Sequence, residues 1–180
     1  MQGGISLEKK KINILISSEE ISNRIKELGR QISKDYEGKS VYVLSLLRGS
    51  FIYTADLVRE LEVPTQIGFM TTSSYGHNET SSGTVKVVHD IPDDIKGLDV
   101  LVVDDIVDSG TTMDFVMNHV KELGANSVKC CVLLDKPDRR KVDIKPDYCC
   151  FEIPDVFVAG YGLNYGDFYR NIPYVFNWED

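Results

Sequence analysis

The first half of the chain combines two spacings of apolar residues. Ser17 and Glu20 form the pattern of a capped helix start, and apolar residues follow at every third or fourth position, which predicts an amphipathic helix. Residues 41–47 are almost continuously apolar and have the length of a buried strand. Helical spacing then returns and ends before Pro64, and residues 66–75 predict a long strand rich in Thr and Ser.

The second half alternates short apolar runs with a helical segment. Residues 99–103 are nearly all apolar, which predicts a strand buried on both faces. A helix is predicted over residues 111–123, and Gly124 provides its C-terminal stop. Strands that alternate with helices indicate one α/β domain, residues 1–180, built around a mainly parallel sheet. The other strand-like segments are 84–88, 127–134 and 157–161.

Composition and charge narrow the classes of function. Hydrophobic residues make up 42% of the chain and charged residues 27%, a balance typical of soluble globular proteins. The formal net charge of −8 argues against nucleic acid as a partner, because such binding uses a basic face. No apolar window is long enough to cross a bilayer, and no apolar segment of a secretion signal follows the basic N-terminal stretch. We therefore expect a cytoplasmic protein that binds neither nucleic acid nor membrane.

Four cysteines occur as two adjacent pairs, Cys130-Cys131 and Cys149-Cys150. A zinc site with four thiolates is one interpretation. Structural zinc ligands are usually spaced two to four residues apart, however, whereas neighbours in a strand point to opposite faces. Both pairs lie in strand-like sequence, so we expect reduced cysteines in the core.

The strongest chemical pattern directly follows the strand predicted at residues 99–103. Ligands of open α/β sheets bind beyond the carboxyl ends of the strands. A glycine at such a turn lets the backbone approach an anion, and the unpaired N–H groups of the next helix favour a phosphate. Hydroxyl side chains in the turn can add donors. The segment reads Asp104-Asp105-Ile106-Val107-Asp108-Ser109-Gly110-Thr111-Thr112.

The acidic residues of this segment carry further information. Three carboxylates beside a phosphate site would repel the phosphate unless something else is bound. A ribose diol can donate hydrogen bonds to carboxylates, and Mg²⁺ is commonly shared between carboxylates and substrate phosphates. The plainer alternative is that Asp or Ser only caps the next helix. Neither a P-loop spacing nor a G-x-G-x-x-G dinucleotide fingerprint occurs in the sequence.

Residues 100–112 resemble the phosphoribosyl-diphosphate signature of the type I phosphoribosyltransferases. Other segments resemble the hypoxanthine-guanine branch of that family in its bacterial form, in the same order and with compatible spacing. The resemblance extends over about residues 12–176. The segments are 46–49, 73–76, 134–137, 151–155 and 160–170.

This resemblance implies a purine salvage enzyme. It would transfer 5-phosphoribosyl from 5-phospho-α-D-ribose 1-diphosphate to N9 of hypoxanthine or guanine, with Mg²⁺ as cofactor. The products would be IMP or GMP and pyrophosphate. The implied fold is a twisted, mainly parallel sheet flanked by helices, with a small hood formed by about residues 1–16 and 148–180. A homodimer or homotetramer is the implied assembly.

The resemblance also implies roles for individual residues. Asp104 and Asp105 would hold the ribose hydroxyls and, with Asn164, a metal. Asp108 would face purine N7 as the general base. The other assignments are Asp108, Ser109, Gly110, Thr111 and Thr112 for the 5-phosphate; Arg48, Gly49 and Arg170 for pyrophosphate; Lys136, Phe157 and Val158 for the purine; and Ser74 and Tyr75 for a lid.

Several of these residues have plainer interpretations when each is taken alone. Lys136 would be a solvated lysine in a charge-rich loop. Phe157 and Val158 would be ordinary core residues, and Arg170 would be exposed on a helix. The small and polar residues 76–83 would form a mobile surface loop, with or without a role as a lid.

Two positions differ from the usual family pattern. Asn164 stands where the family usually has Asp at a second Mg²⁺ site, and an amide oxygen ligates a metal without supplying charge. We therefore expect a weaker second metal site. Arg48 stands where Lys is frequent, and either cation suits a phosphate. The family also suggests a cis peptide bond between Arg48 and Gly49.

Two other functions remain open from the sequence. One is a regulatory protein of the same fold that senses nucleotides and binds RNA or DNA, and the net charge of −8 argues against such binding. The other is a transferase of the same class that prefers xanthine, adenine or a pyrimidine. Lys136 and the region of Phe157 favour oxopurines, whereas the choice among hypoxanthine, guanine and xanthine depends on backbone geometry.

Overall fold

The structure is a computed structural model and describes residues 11–74 and 85–179. Within these residues the chain forms eight strands and three α-helices. The strands are β1 (Ile12–Ile16), β2 (Val41–Leu47), β3 (Thr65–Ser74), β4 (Val85–His89), β5 (Asp99–Val107), β6 (Ser127–Asp135), β7 (Tyr148–Glu152) and β8 (Val175–Trp178). The helices are α1 (Ser18–Asp35), α2 (Phe51–Arg59) and α3 (Thr111–Glu122).

Six strands form one sheet in the order β4-β3-β2-β5-β6-β7. Strands β3 and β4 are antiparallel, and the other neighbours in this sheet are parallel. The prediction of an α/β fold around a mainly parallel sheet is therefore confirmed. Strands β1 and β8 form a separate antiparallel pair, in which Ile14 lies opposite Phe176.

Helices cover both faces of the larger sheet, which explains its sequence pattern. Helices α1 and α2 pack on one face, over a core that includes Val43 and Leu133. Helix α3 packs on the other face, where Val102 and Val116 are fully buried. Because strands β2 and β5 are covered on both sides, their sequences are continuous apolar runs instead of alternating ones.

The predicted start of α1 is confirmed in detail. The Glu20 N–H donates to Ser17 Oγ at 3.2 Å, and the Ser17 N–H donates to the Glu20 carboxylate at 2.8 Å. Each side chain thereby satisfies a backbone donor that the first helical turn leaves unpaired. The apolar positions of α1, among them Ile25 and Ile32, face the core as the helical spacing predicts.

Strand β5 is longer than predicted. We expected a strand over residues 99–103 that ends before Asp104, whereas β5 continues to Val107. The extension is held by β6, because Asp104 pairs with Val132 and Val107 pairs with Asp135. Asp104 and Asp105 are therefore part of the sheet and not of a loop, which gives their side chains fixed directions.

The strand predicted over residues 157–161 is wrong. Only isolated bridges occur there, from Ala159 to Phe176 and from Gly160 to Leu163. Tyr161 has φ 49°, which an extended strand does not permit. The apolar residues of this segment instead pack beside β8, because Ala159 and Phe176 exchange backbone hydrogen bonds of 2.9 and 3.0 Å. The pairing of β1 with β8 was not predicted.

The four cysteines are free thiols, as the strand positions predicted. Cys130, Cys131 and Cys150 are buried, and Cys149 is partly buried. Burial raises the pKa of Cys130 and of Cys150 to about 11 and that of Cys149 to about 12. These thiols therefore stay protonated and behave as small apolar groups. No helix in the described ranges has the length and apolar content needed to span a bilayer.

Candidate active site

The phosphate cradle predicted at residues 108–112 lies where β5 ends and α3 begins. Gly110 has φ +83° and occupies the position before the first turn of α3, where it offers no side chain to cap the helix. Its N–H groups are therefore available to an anion at the positive end of the helix dipole. A pocket of about 120 Å³ opens at this turn, and Asp104, Asp108, Ser109 and Thr112 are among its lining residues.

Hydroxyl groups in the cradle are partly engaged with each other. Ser109 Oγ donates to Thr111 Oγ1 at 3.2 Å, and the Thr111 N–H donates to Ser109 Oγ at 3.4 Å. The second of these bonds is long and therefore weak. Both hydroxyls can rotate toward a ligand at little cost, since they give up only one short contact. The arrangement is the donor-rich turn that the sequence predicted.

The loop that follows β6 forms hydrogen bonds with the backbone of the cradle, and the sequence did not predict these contacts. Arg140 Nη1 donates to the Asp108 carbonyl oxygen at 2.8 Å, and Arg140 Nη2 forms a short ion pair with Asp135. The Lys141 N–H donates to the Ser109 carbonyl oxygen at 2.9 Å. Both residues are distant from the cradle in sequence. Asp135 lies in the family-like segment 134–137, whereas Arg140 lies in none of the segments that carry the resemblance. The signal available was only the charge density of residues 135–141.

Asp104 and Asp105 form a crowded acidic pair beside the cradle. The Asp105 N–H donates to Asp104 Oδ1 at 2.9 Å. Burial raises the pKa of Asp104 well above its usual value, and the neighbouring Asp105 raises it further. Burial also raises the pKa of Asp105, although hydrogen bonds from its surroundings and the charge of Arg170 oppose the rise. Such a pair is expensive to keep ionised unless a cation or hydroxyl donors approach it.

Three parts of the chain meet at Asp105, as the predicted pyrophosphate site requires. A Cβ atom on Gly49 would lie 1.7 Å from Asp105 Oδ2, so the carboxylate occupies the space that glycine leaves free. A Cβ atom on Gly162 would lie 2.2 Å from the Gly49 carbonyl oxygen. Arg170 Nη1 donates to the Gly162 carbonyl oxygen at 2.6 Å. Arg170 is therefore anchored beside the site and not exposed on a helix. Arg48 is exposed next to Gly49.

The cis peptide bond of this loop lies one position earlier than expected. It joins Leu47 to Arg48, whereas the family resemblance suggested the bond between Arg48 and Gly49. Leu47 still pairs with Thr71 in the parallel ladder between β2 and β3.

Asn164 lies between β7 and β8 and is exposed. Its amide nitrogen donates to the Gly166 carbonyl oxygen, which fixes the orientation of the side chain. The amide oxygen carries no hydrogen bond in the described part of the chain, so it can accept one or approach a cation. The described residues contain no cluster of three or more His, Cys, Asp or Glu side chains that could hold a metal.

The predicted purine residues lie on the loops after β6 and β7. Lys136 is only 6% exposed, so the solvated lysine considered above is wrong. Phe157 is 57% exposed, which excludes an ordinary core position, whereas Val158 is buried as a core residue would be. The Phe157 ring contacts Tyr165 edge-on at 5.7 Å and Trp178 at 5.9 Å between ring centroids. An exposed aromatic face such as that of Phe157 suits stacking with a flat ligand.

The Asp108 carboxylate has an oxygen that can still accept a hydrogen bond. Its Oδ1 atom is buried and has no hydrogen-bond partner among the described residues. Arg139 Nε lies 2.8 Å from this oxygen, an ion-pair distance without the alignment of a hydrogen bond.

The predicted lid lies mostly outside the described residues. Ser74 ends β3, and Tyr75 and residues 76–83 lie outside the described ranges, so the lid remains a prediction.

Comparisons with known proteins agree with this geometry. The family model for the phosphoribosyl transferase domain matches residues 15–166. The chain is 46% identical over 169 residues to the hypoxanthine phosphoribosyltransferase of Salmonella typhimurium, covering 93% of this chain and 95% of that protein. It is also 46% identical over 170 residues to the hypoxanthine-guanine phosphoribosyltransferase of Lactococcus lactis, covering 94% and 92%.

The fold of the chain is also similar to that of a solved structure. The crystal structure of a hypoxanthine-guanine phosphoribosyltransferase from Bacillus anthracis, with a HEPES molecule in its active site, superposes with a TM-score of 0.89. The two chains are 42% identical, and the match covers 93% of this chain and 98% of that one. With a family model that spans most of its length and relatives aligned over nearly all of it, the chain belongs to the phosphoribosyltransferase family.

Proposed function

We propose that the chain transfers 5-phosphoribosyl from phosphoribosyl diphosphate to N9 of hypoxanthine or guanine and thereby acts in purine salvage. The observation that carries this proposal is the uncapped start of α3 beside the acidic pair Asp104 and Asp105. Phosphate donors and carboxylates for a ribose diol stand together there, and Lys136 and Phe157 lie on the adjacent loops. The relatives from S. typhimurium and L. lactis carry the corresponding names.

The reaction exchanges one bond at the anomeric carbon for another. The bond from ribose C1 to the diphosphate oxygen breaks, and a bond from C1 to purine N9 forms. Asp108 accepts the proton that leaves N7, because its buried Oδ1 atom is available as an acceptor. The 5-phosphate binds the N–H groups and hydroxyls of the cradle at residues 108–112, which fixes C1 relative to the base.

The diphosphate binds on the opposite side of the ribose from the base. Arg170, the exposed Arg48 and the backbone of Gly49 provide its donors, and Asp104 and Asp105 accept hydrogen bonds from the ribose hydroxyls. Positive charge develops on the ribose in the transition state, and exclusion of water protects it from hydrolysis. We propose that Ser74 and Tyr75 contribute to that exclusion as part of a lid.

Mg²⁺ fits the donor set beside the cradle. Mg²⁺ prefers oxygen ligands and usually completes its octahedral shell with water and substrate phosphates. Asp104 and Asp105 offer carboxylate oxygens whose burial and crowding would be relieved by a cation, and Asn164 offers an amide oxygen. When bound, Mg²⁺ would neutralise charge on the leaving diphosphate.

Replacement of Asn164 by Asp tests the weaker metal site. The variant adds a negative charge at a position that now supplies only an amide oxygen. We expect Asn164→Asp to lower the Mg²⁺ concentration for half-maximal rate, on the order of tenfold, since ligand charge tunes affinity. The measurement is a Mg²⁺ titration of the initial rate. Asn118→Asp, on the exposed face of α3, is the matched control, and identical metal dependence of Asn164→Asp and the parent chain would contradict the prediction.

One assay tests the proposed function against its alternatives. The purified chain is incubated with phosphoribosyl diphosphate, Mg²⁺ and one base at a time, and nucleotide and pyrophosphate are followed. We expect product with hypoxanthine and guanine and little with adenine, because Lys136 donates to an oxygen at purine position 6. A clear preference for xanthine would indicate a phosphoribosyltransferase of the same class with a different purine substrate. No product with any purine, together with specific binding of nucleic acid, would indicate a regulator of the same fold.

A homo-oligomer is the assembly that we propose, because the helices leave part of one face of the larger sheet exposed at β3. Ile67 and Phe69 lie on the face of β3 that continues the core under α2, since Ile67 pairs with Val43. They are 46% and 48% exposed, and Phe51 at the start of α2 is 45% exposed. Adjacent apolar side chains of this size favour contact with a second copy.

Replacement of Phe69 by Lys tests the proposed interface. We expect Phe69→Lys to convert the assembly to monomers, because a charge in the apolar contact has no partner. Light scattering after size-exclusion chromatography measures the mass. Phe168→Lys is the matched control, since Phe168 is 62% exposed but lies on the hood side of the molecule. An unchanged mass for Phe69→Lys, or an equal loss for both variants, would contradict this surface.

We also propose a single domain over residues 1–180, with a hood contributed by residues 1–16 and 148–180. The pairing of β1 with β8 supports a hood that joins both ends of the chain. Strand β7 lies within the range 148–180 and pairs with β6 of the larger sheet. Four free thiols suit the reducing conditions of the cytoplasm, where we propose that the chain acts.

A further inference from the structure

Four charged side chains alternate in sign across the base side of the site. Asp108 Oδ1 lies 2.8 Å from Arg139 Nε, and Arg139 Nη1 donates to Asp155 Oδ1 at 3.2 Å. The same Asp155 oxygen lies 4.0 Å from Lys136 Nζ. We call Asp108, Arg139, Asp155 and Lys136 the charge chain. It joins the loops that follow β5, β6 and β7, and it connects the proposed general base with the proposed reader of the purine oxygen.

The buried position of Lys136 requires a negative partner. Its side chain is 8% exposed, and an ammonium group taken out of water is costly unless an anion accompanies it. The adjacent Asp135 is already paired with Arg140. Asp155 is therefore the carboxylate that balances Lys136, and Arg139 holds Asp155 in place from the other side.

The donor and acceptor groups at the two ends of the charge chain suit one edge of an oxopurine. Hypoxanthine and guanine present N7 and the oxygen at position 6 side by side. A lysine ammonium has only donors, and an ionised aspartate has only acceptors. Lys136 therefore satisfies the oxygen while Asp108 accepts from the N7 hydrogen. Adenine presents an amino group at position 6, which offers Lys136 a second donor in place of an acceptor.

We propose that Asp155 is a specificity-determining residue and that Arg139 is a positioning residue for this edge. Asp155 keeps the Lys136 ammonium directed at position 6 of the purine. Arg139 sets the distance of Asp155 from the Asp108 carboxylate. The chain thus selects oxopurines over 6-aminopurines through two residues that do not themselves touch the base. The inference rests on the proposed function, since it assumes transfer to a purine.

A plain surface ion pair is the competing explanation. Arg139 and Asp155 are each 50% exposed, and exposed pairs commonly contribute little. A surface pair predicts no kinetic change on substitution. A merely structural role predicts an equal loss for every base. The proposal alone predicts a loss that depends on the group at position 6.

The experiment compares Asp155→Asn with the parent chain for hypoxanthine, adenine and phosphoribosyl diphosphate. Asn keeps the shape of the side chain and removes its charge. We expect kcat/KM for hypoxanthine to fall about 10- to 100-fold, the loss of one hydrogen bond to a charged group, mainly through KM for the base. KM for phosphoribosyl diphosphate and kcat/KM for adenine should change little, so that discrimination between the two bases falls. Asp138→Asn is the matched control, because Asp138 is exposed on the same turn outside the charge chain.

A second variant keeps the test independent of folding. Arg139→Gln should lower kcat/KM for hypoxanthine in the same direction, Arg139→Lys should restore part of the loss, and the double variant with Asp155→Asn should lose less than the sum of the two. Equal losses for hypoxanthine and adenine, or additive effects in the double variant, would overturn the inference. Unchanged constants in Asp155→Asn would overturn it as well, while leaving the proposed function intact. Absence of product from the parent chain with either oxopurine would remove the proposed function and the inference together.

Discussion

Replacement of Asp108 by Asn is expected to lower kcat for hypoxanthine by about 100- to 10,000-fold, the range of general acid–base catalysis. Asn retains the size and most contacts of the side chain but cannot take a proton from N7. The variant replaces the proton-accepting carboxylate by a neutral amide. The carboxylate oxygen Oδ1 is buried 2.8 Å from Arg139 Nε and has no hydrogen-bond partner among the described residues. KM for phosphoribosyl diphosphate should change little, because the 5-phosphate binds backbone N–H groups of the same turn. Initial rates with both substrates saturating measure the effect.

A matched carboxylate in the next turn separates this effect from loss of local charge. Asp114 lies in the first turn of α3 and stabilises the same helix dipole. Asp114→Asn should therefore retain most of kcat. Near-parental kcat in Asp108→Asn, or an equal decrease in both variants, would show that Asp108 does not accept the proton.

Replacement of Gly49 by Ala is expected to lower kcat/KM for phosphoribosyl diphosphate about 100-fold, because a displacement of about 1 Å is enough for such a loss. The added Cβ atom would lie 1.7 Å from Asp105 Oδ2 and 2.5 Å from Asp105 Cγ, so the carboxylate must move. The proposed ribose and metal contacts of Asp105 move with it. Initial rates at varied phosphoribosyl diphosphate and saturating Mg²⁺ measure the change, and KM for the base should be affected less.

A glycine in open space provides the control for Gly49→Ala. Gly97 has φ +77°, and a Cβ atom added there would have no neighbour within 4 Å. It lies in the turn before β5, at the opposite end of the strand from the site. Gly97→Ala should cost stability through backbone strain and leave the kinetic constants unchanged. Parental kinetics in Gly49→Ala would mean that Asp105 relaxes without consequence, and the role proposed for it would fail.

The parts of the site that the sequence predicted well are local in the chain. A buried strand, an acidic pair, a glycine turn and a helix follow one another from residue 99 to residue 122, and each is recognisable from its neighbours. The error in this region is the end of β5. Asp104 reads as the start of a loop because it is charged, yet pairing with Val132 of β6 keeps it in the sheet.

The parts that were missed depend on contacts between distant residues. Arg140 donates to the Asp108 carbonyl oxygen while it pairs with Asp135, and Arg139 contacts the Asp108 carboxylate from the same loop, but no spacing rule links these positions. Residues 157–161 have the apolar composition of a strand, and the positive φ of Tyr161 diverts them to β8. An apolar composition predicts that such side chains are buried, whereas the tertiary fold determines which residues they pack against.

The parallel order of β2, β5, β6 and β7 also determines when a folding chain acquires its site. Parallel neighbours cannot be joined by a tight turn, so each pairing closes a long stretch of chain before it is stabilised. Proteins rich in such distant pairings fold slowly. Gly162 lies outside the sheet and packs against the Gly49 carbonyl oxygen, and the same segment brings Arg170 to Asp105. A chain whose sheet has formed can therefore still lack Arg170, one of its proposed diphosphate donors.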